Sequence, residues 1–112
     1  DRTRTLVWDV SDLDDPLLVK EVFLSNGASD HNLFVKGNFV YESNYNAGLV
    51  ILDITDPTNP VEVGHFDTAP NAENIYGFAG SWGNYPFFES GIIAVSSKTE
   101  GLFLVRKREV DL

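Results

Sequence analysis

Apolar positions along the chain fall into short clusters rich in Val, Ile, Leu, Phe and Tyr, each closed by Gly, Asn, Asp or Pro. That spacing predicts brief strands separated by turns, and no convincing 3.6-residue periodicity predicts a helix. In the middle of the chain, strands are expected at residues 32–36, 38–43, 49–54 and 61–66. Lys36, Gly37 and Asn38, and then Tyr45 to Gly48, supply turn chemistry between them, because Gly and Asn tolerate positive φ at little cost. Leu49, Val50, Ile51 and Leu52 form an unbroken apolar run, which predicts an inner strand buried on both faces.

The same pattern recurs along the chain. Leu6, Val7, Trp8 and the residues after them can be laid on the segment that follows Leu49. Asp9, Ser11, Asp12, Asp15 and Pro16 then fall on Asp53, Thr55, Asp56, Asn59 and Pro60. The offset is about 44 residues, the length of a four-stranded propeller blade. A third, partial copy runs from Gly91 to Val105 and is similar to the segment from Gly37 to Leu52. The expected fold class is therefore all-β: a partial β-propeller of about two and a half four-stranded antiparallel blades. Residues 1–26 are expected to end one blade, 27–70 to make a complete one, and 71–112 to make a partial last one. A small sandwich of the same strands is the alternative fold. Because a closed ring needs about four blades or more, the remaining blades are expected from the same protein, a second chain or self-copies.

Composition narrows the function. Seventeen acidic residues against eight basic ones give a formal charge of −9 in 112 residues, which opposes binding to nucleic acid or to an anionic membrane. No apolar run approaches the roughly 18 residues of a membrane-spanning helix, so membrane insertion is not expected. Cys is absent, which removes cysteine nucleophiles, thiolate metal sites and disulfides. Met is also absent and the chain begins at Asp1, which leads us to expect a longer or processed native protein.

The segment from Leu49 to Gly64 resembles the LVIVD repeat, a propeller-type repeat of bacterial and archaeal surface proteins. The wider pattern, Asp30 to Tyr45, Gly48 and Leu49, Tyr85 to Gly91 and Gly101 to Val105, resembles the choice-of-anchor B family. That resemblance covers nearly the whole chain. It implies a secreted or surface-anchored repeat domain, with no established enzymatic activity. The chain departs from the repeat at Leu13, Asp14 and Asp15, and again at Arg106 to Glu109.

Candidate chemistry is sparse. Asp12, Pro16, Asp53, Asp56, Asn59 and Pro60 are read as structural turn residues, since Asp and Asn side chains bond nearby backbone amides and Pro cannot extend a ladder. Calcium is the alternative these aspartates raise. However, the Asp-X-Asp-X-Asp-Gly loop with its distal Glu is absent, so no metal site is assigned and no cofactor is expected. Asp30 and His31 stand at the start of a blade, where His31 is a candidate ligand-binding residue or general base. Its bland alternative is a hydrogen bond to a neighbouring blade. The stretch Ile75 to Phe88 is Gly-punctuated and aromatic, read as a loop whose rings plug the gap between adjacent blades or, as the alternative, recognise a ligand, with Trp82 and Tyr85 as the candidate recognition residues. No Ser, His and Asp set has the context of a catalytic triad.

The expected function is a non-catalytic extracellular or cell-surface module for protein or glycan binding and for assembly. The basic ends, Arg2, Arg4 and Arg106 to Arg108, are suited to acidic neighbouring surfaces. The alternative is a fragment of a hydrolase or lyase whose channel site uses His31 and residues from other blades.

Overall fold

The computed structural model describes residues 1–73 and 75–108, and among them every regular element is a strand. There are nine: β1 (Arg4–Asp9), β2 (Leu17–Phe23), β3 (Asn32–Lys36), β4 (Phe39–Ser43), β5 (Leu49–Asp53), β6 (Val61–Phe66), β7 (Ser81–Tyr85), β8 (Ile92–Ser97) and β9 (Gly101–Arg106). Each pairs antiparallel with its neighbour in sequence. The result is three meanders: a first sheet β1-β2, a central sheet β3-β4-β5-β6 and a last sheet β7-β8-β9.

Turn chemistry sets the strand ends. Gly37, at φ +59°, closes the hairpin that pairs Lys36 with Phe39. Gly48, at φ +80°, packs so tightly that an added Cβ would overlap the Phe66 carbonyl. Asp9, Asp12, Asp53, Asp56 and Asp67 each accept a backbone N–H from the residue two positions on, at 2.8–3.0 Å. These side-chain bonds turn the chain without help from a ladder.

The central sheet is the middle layer of the stack. Along β5, Val50 and Leu52 face the first sheet, where they pack with Val40, Val22 and Leu24. Leu49 and Ile51 face the other way and pack with Tyr41, Ile93 and Val95, backed by Phe66, Phe103 and Val105. Strand side chains alternate in direction. Four consecutive apolar residues are therefore needed when both faces are covered, and all four are buried.

The outer sheets have one covered face each. Leu6, Trp8 and Phe23 on the first sheet, and Leu102 and Leu104 on the last, are exposed. Trp82 and Tyr85 depart from expectation: they stand on β7 and not in a loop. A register shift between Ser81 and Gly83 absorbs the small residue that suggested irregular chain, as a bulge does.

Core depth has a measurable consequence. Leu52→Ala is expected to lower unfolding free energy by about 2–5 kcal/mol. Leu102→Ala, at a side chain 67% exposed, is expected to change it by no more than about 0.5 kcal/mol. Urea titrations followed by circular dichroism compare the two.

Candidate functional site

The segments that enter β3 and β7 meet at one end of the central sheet. Tyr45, in the β4–β5 turn, exchanges backbone hydrogen bonds with Ser81 in both directions, at 3.1 and 2.9 Å. It is the one described non-glycine residue at positive φ, +40°. The Ser81 bridge and burial of the ring hold a conformation that ordinarily costs about 1–3 kcal/mol. Strain of this kind concentrates where a side chain must be aimed.

Tyr45 is aimed at His31. The imidazole lies between two aromatic rings, 4.7 Å from Tyr45 and 4.7 Å from Trp82. His31 Nδ1 is 2.6 Å from the Trp82 carbonyl oxygen. A carbonyl can only accept, so Nδ1 carries the proton in this contact and Nε2 is left for other partners. Phe78 stands edge-on to Tyr45 at 5.2 Å, and Tyr76 edge-on to Phe78 at 5.3 Å. The loop bearing them is held by Asn46, whose Nδ2 donates to the Glu73 carbonyl and whose Oδ1 accepts from the Ala79 N–H. Although Tyr45 is buried, Tyr76, Phe78 and Trp82 expose 74%, 53% and 52% of their surface. Asp30, itself exposed, lines the adjoining cleft with Tyr76 and Phe78.

Of the residues singled out from sequence, the fold brings His31 and Trp82 into contact, with Asp30 beside them. Tyr85 lies apart. It sits at the other end of β7, against Phe87 and Phe88 at 5.4 and 4.8 Å. Lys36 Nζ donates to the Pro86 carbonyl at 3.0 Å in that second aromatic patch. Pro60 is buried and Pro16 exposed, each one residue ahead of a strand. Among the described residues no three His, Asp or Glu side chains are grouped to hold a metal ion. The turn aspartates spend oxygens on backbone amides, as above.

The basic ends find partners of several kinds. Arg4 pairs with Glu21 at 3.1 Å, Arg2 donates to the Phe23 and Leu24 carbonyls, and Lys107 lies 3.6 Å over the Phe39 ring.

One charged group was not singled out from the sequence. Glu42 on β4 is 1% exposed. Thr5 Oγ1 donates to one carboxylate oxygen at 2.7 Å and Asn44 Nδ2 to the other at 3.0 Å. Burial pushes its pKa above the usual 4.5. The two hydrogen bonds offset this in part, and the carboxylates of Asp30 and Glu62 add to the rise. The signal available was a lone acid in a strand whose neighbours, Val40 and Tyr41, are apolar. On the facing side of the sheet the corresponding polar link is Asn84, whose Nδ2 donates to the Tyr41 carbonyl and to Ser43 Oγ.

These features define an all-β repeat protein with an exposed aromatic surface at the junction of two sheets. Residues 28–68 match the family model of the LVIVD repeat, which supports an LVIVD-repeat protein. No curated protein and no solved structure matches the chain.

Glu42 makes a signed prediction. Its pKa is raised in the folded state, so the unfolded chain releases this proton at lower pH. Stability therefore falls as pH rises through the window that opens at the ordinary value of 4.5. Asp53 and Asp56 act oppositely: bonds to Thr55 and Thr58 lower their values, and their contribution is lost as pH falls. Denaturation at several pH values from about 2 to 8 should show the Glu42 component, above 4.5, vanishing in Glu42→Gln while the acid-side loss, below 3.8, persists.

Proposed function

We propose that this chain is a segment of an LVIVD-type β-propeller of the choice-of-anchor B kind, acting as a non-catalytic extracellular or cell-surface module that recognises glycan or protein ligands. The observation that carries the recognition reading is the cluster of Tyr76, Phe78 and Trp82, half or more exposed yet mutually packed around His31 and Tyr45. Single exposed aromatic residues need no explanation. A contiguous group does, because such rings hold a large apolar area away from any cover and present flat faces to a ligand.

Three sheets of successive hairpins, stacked face on face with a repeat offset of one sheet, support the propeller reading. In that arrangement each blade buries both faces against its neighbours, and the outer faces of the first and last sheets take further blades. No cofactor is invoked, and calcium has no part in the proposed recognition. The extracellular setting and the bacterial source follow from the resemblance alone.

The polar groups beside the rings fit a ligand rich in hydroxyl or amide groups. Asp30 accepts hydrogen bonds, and His31 offers Nε2. Trp82→Ala and Tyr76→Ala are each expected to weaken binding about tenfold or more, as hot-spot truncations do. Tyr76→Ala should leave the unfolding midpoint nearly unchanged, because that side chain is largely exposed, whereas Trp82→Ala, half-buried against His31 and Tyr45, is expected to lower it modestly. A glycan array, followed by calorimetric titration of any hit, provides the measurement. Affinity indifferent to both variants would sink the recognition reading. Turnover of glycan or ester substrates that disappears in His31→Ala would replace it with the hydrolase or lyase alternative.

A further inference from the structure

Asn26 and Gly27 form the one Asn-Gly dipeptide of the chain. They lie in the connection between β2 and β3, and both are partly exposed. Asparagine is among the chemically labile side chains. Its amide carbon is open to attack by the backbone nitrogen of the next residue, and a side chain on that residue obstructs the approach. Glycine removes the obstacle.

The fold arranges this pair further. The Ala28 N–H donates to Asn26 Oδ1 at 2.9 Å. The bond curls the side chain over the following peptide, so that Cγ and the Gly27 nitrogen belong to one hydrogen-bonded ring. It also polarises the amide carbonyl and is placed to stabilise negative charge that develops on Oδ1. The Thr3 N–H donates to the Asn26 carbonyl oxygen at 2.9 Å, and Ala28 is buried, so the chain is anchored on both sides of the reacting atoms. Among the described residues, no backbone carbonyl accepts from the Gly27 N–H. A solvent-open cavity of about 420 Å³, whose lining includes Asn26, Gly27, Glu62 and His65, gives water access to the pair.

Asn44, Asn46 and Asn84 are differently placed. All three are buried, and each Nδ2 is held by an acceptor. Each also precedes a residue with a side chain, namely Tyr45, Ala47 and Tyr85. Neither the leaving group nor the approach of the nucleophile is free there.

We propose that Asn26 is a site of self-modification, converting through a succinimide to aspartate and isoaspartate. Hydroxide takes the Gly27 amide proton and the nitrogen forms a bond to Asn26 Cγ. The Cγ–Nδ2 bond then breaks, and ammonia leaves with a proton taken from water. A water molecule opens the ring. Opening at Cγ gives aspartate with the original main chain, and opening at the backbone carbonyl routes the main chain through Cγ as isoaspartate. One water is consumed and one ammonia released, with no redox change. Either product adds negative charge to a chain of formal charge −9, beside a cavity that Glu62 already lines. Isoaspartate also lengthens the main chain ahead of Ala28, whose carbonyl oxygen accepts from the Thr3 hydroxyl. The contact between the lead-in to β1 and the β2–β3 connection is therefore the one that ageing of this site disturbs. The chemistry rests on neither the propeller reading nor the recognition reading.

The folded chain, its Gly27→Ala and Asn26→Gln variants and a free peptide of residues 20–32 are incubated side by side at neutral and at mildly alkaline pH. Digests are then read by mass spectrometry, with chromatographic separation of aspartate from isoaspartate peptides. Asn26 is expected to convert before any other asparagine, to give both products, and to react faster at the higher pH. Its rate in the folded chain should equal or exceed that in the free peptide, because the Ala28 N–H holds Oδ1 only in the fold. Gly27→Ala should slow the conversion at least about tenfold, since its Cβ obstructs the attack. Asn26→Gln should abolish the early mass change. Slower conversion in the folded chain than in the peptide, an earlier conversion at another asparagine, aspartate as the sole product, or a rate that Gly27→Ala leaves unchanged overturns the proposal. The comparison of parent chain with peptide needs no variant, so it decides the matter even where a substitution disturbs folding.

Discussion

Two-sided burial of β4 and β5 is the constraint on which the rest of the molecule depends. A strand pair that is apolar on both faces cannot face water on either, so it demands a sheet above and a sheet below. Val50 and Leu52 select the first sheet, and Leu49 and Ile51 select the last. The outer sheets need only one apolar face for this purpose. Their pairing with the central layer is what fixes the ends of β4 and β5, and with them the turn that carries Tyr45.

The polar groups inside the stack are fewer and more specific than the apolar ones. Glu42 is held by Thr5 across one interface, and Asn84 reaches the Tyr41 carbonyl and Ser43 across the other. Apolar faces slide over one another at little cost, whereas a buried hydrogen-bonding group tolerates one register. Each interface thus combines nondirectional burial with a few directional contacts. The Tyr45–Ser81 bridge extends the second interface to the rim, where His31 and the exposed rings sit.

Much of this was legible in the residues. The run from Leu49 to Leu52 signals an inner strand because its period is lost, and the Asp and Pro spacing repeats because each turn solves the same backbone problem. Gly37 and Gly48 mark turns for a reason that sequence carries in full, namely positive φ. Around Trp82 and Tyr85 the local pattern reads as a loop, since Gly83 and Pro86 interrupt it, and a bulge is a tertiary accommodation that local pattern does not reveal. Tyr45 was hidden within its turn chemistry. Glu42 is an acid in a strand, and only the neighbour that covers it, Thr5, tells a buried carboxyl from a solvated one. The approach of His31 to Trp82, 51 positions apart, is likewise a product of sheet stacking.

The neighbour-to-neighbour pairing order bears on how the chain gains and loses structure. Every ladder joins strands adjacent in sequence, so each hairpin closes a short loop and costs little chain entropy. Order can therefore spread outwards from the central sheet, with the flanking sheets added one at a time. In the reverse direction, β1-β2 can detach while the β3–β6 ladder persists, as a separate cooperative unit with a lower opening free energy. The loss would uncover Glu42 and leave Tyr45 and His31 in place, so the two ends of the molecule need not melt together.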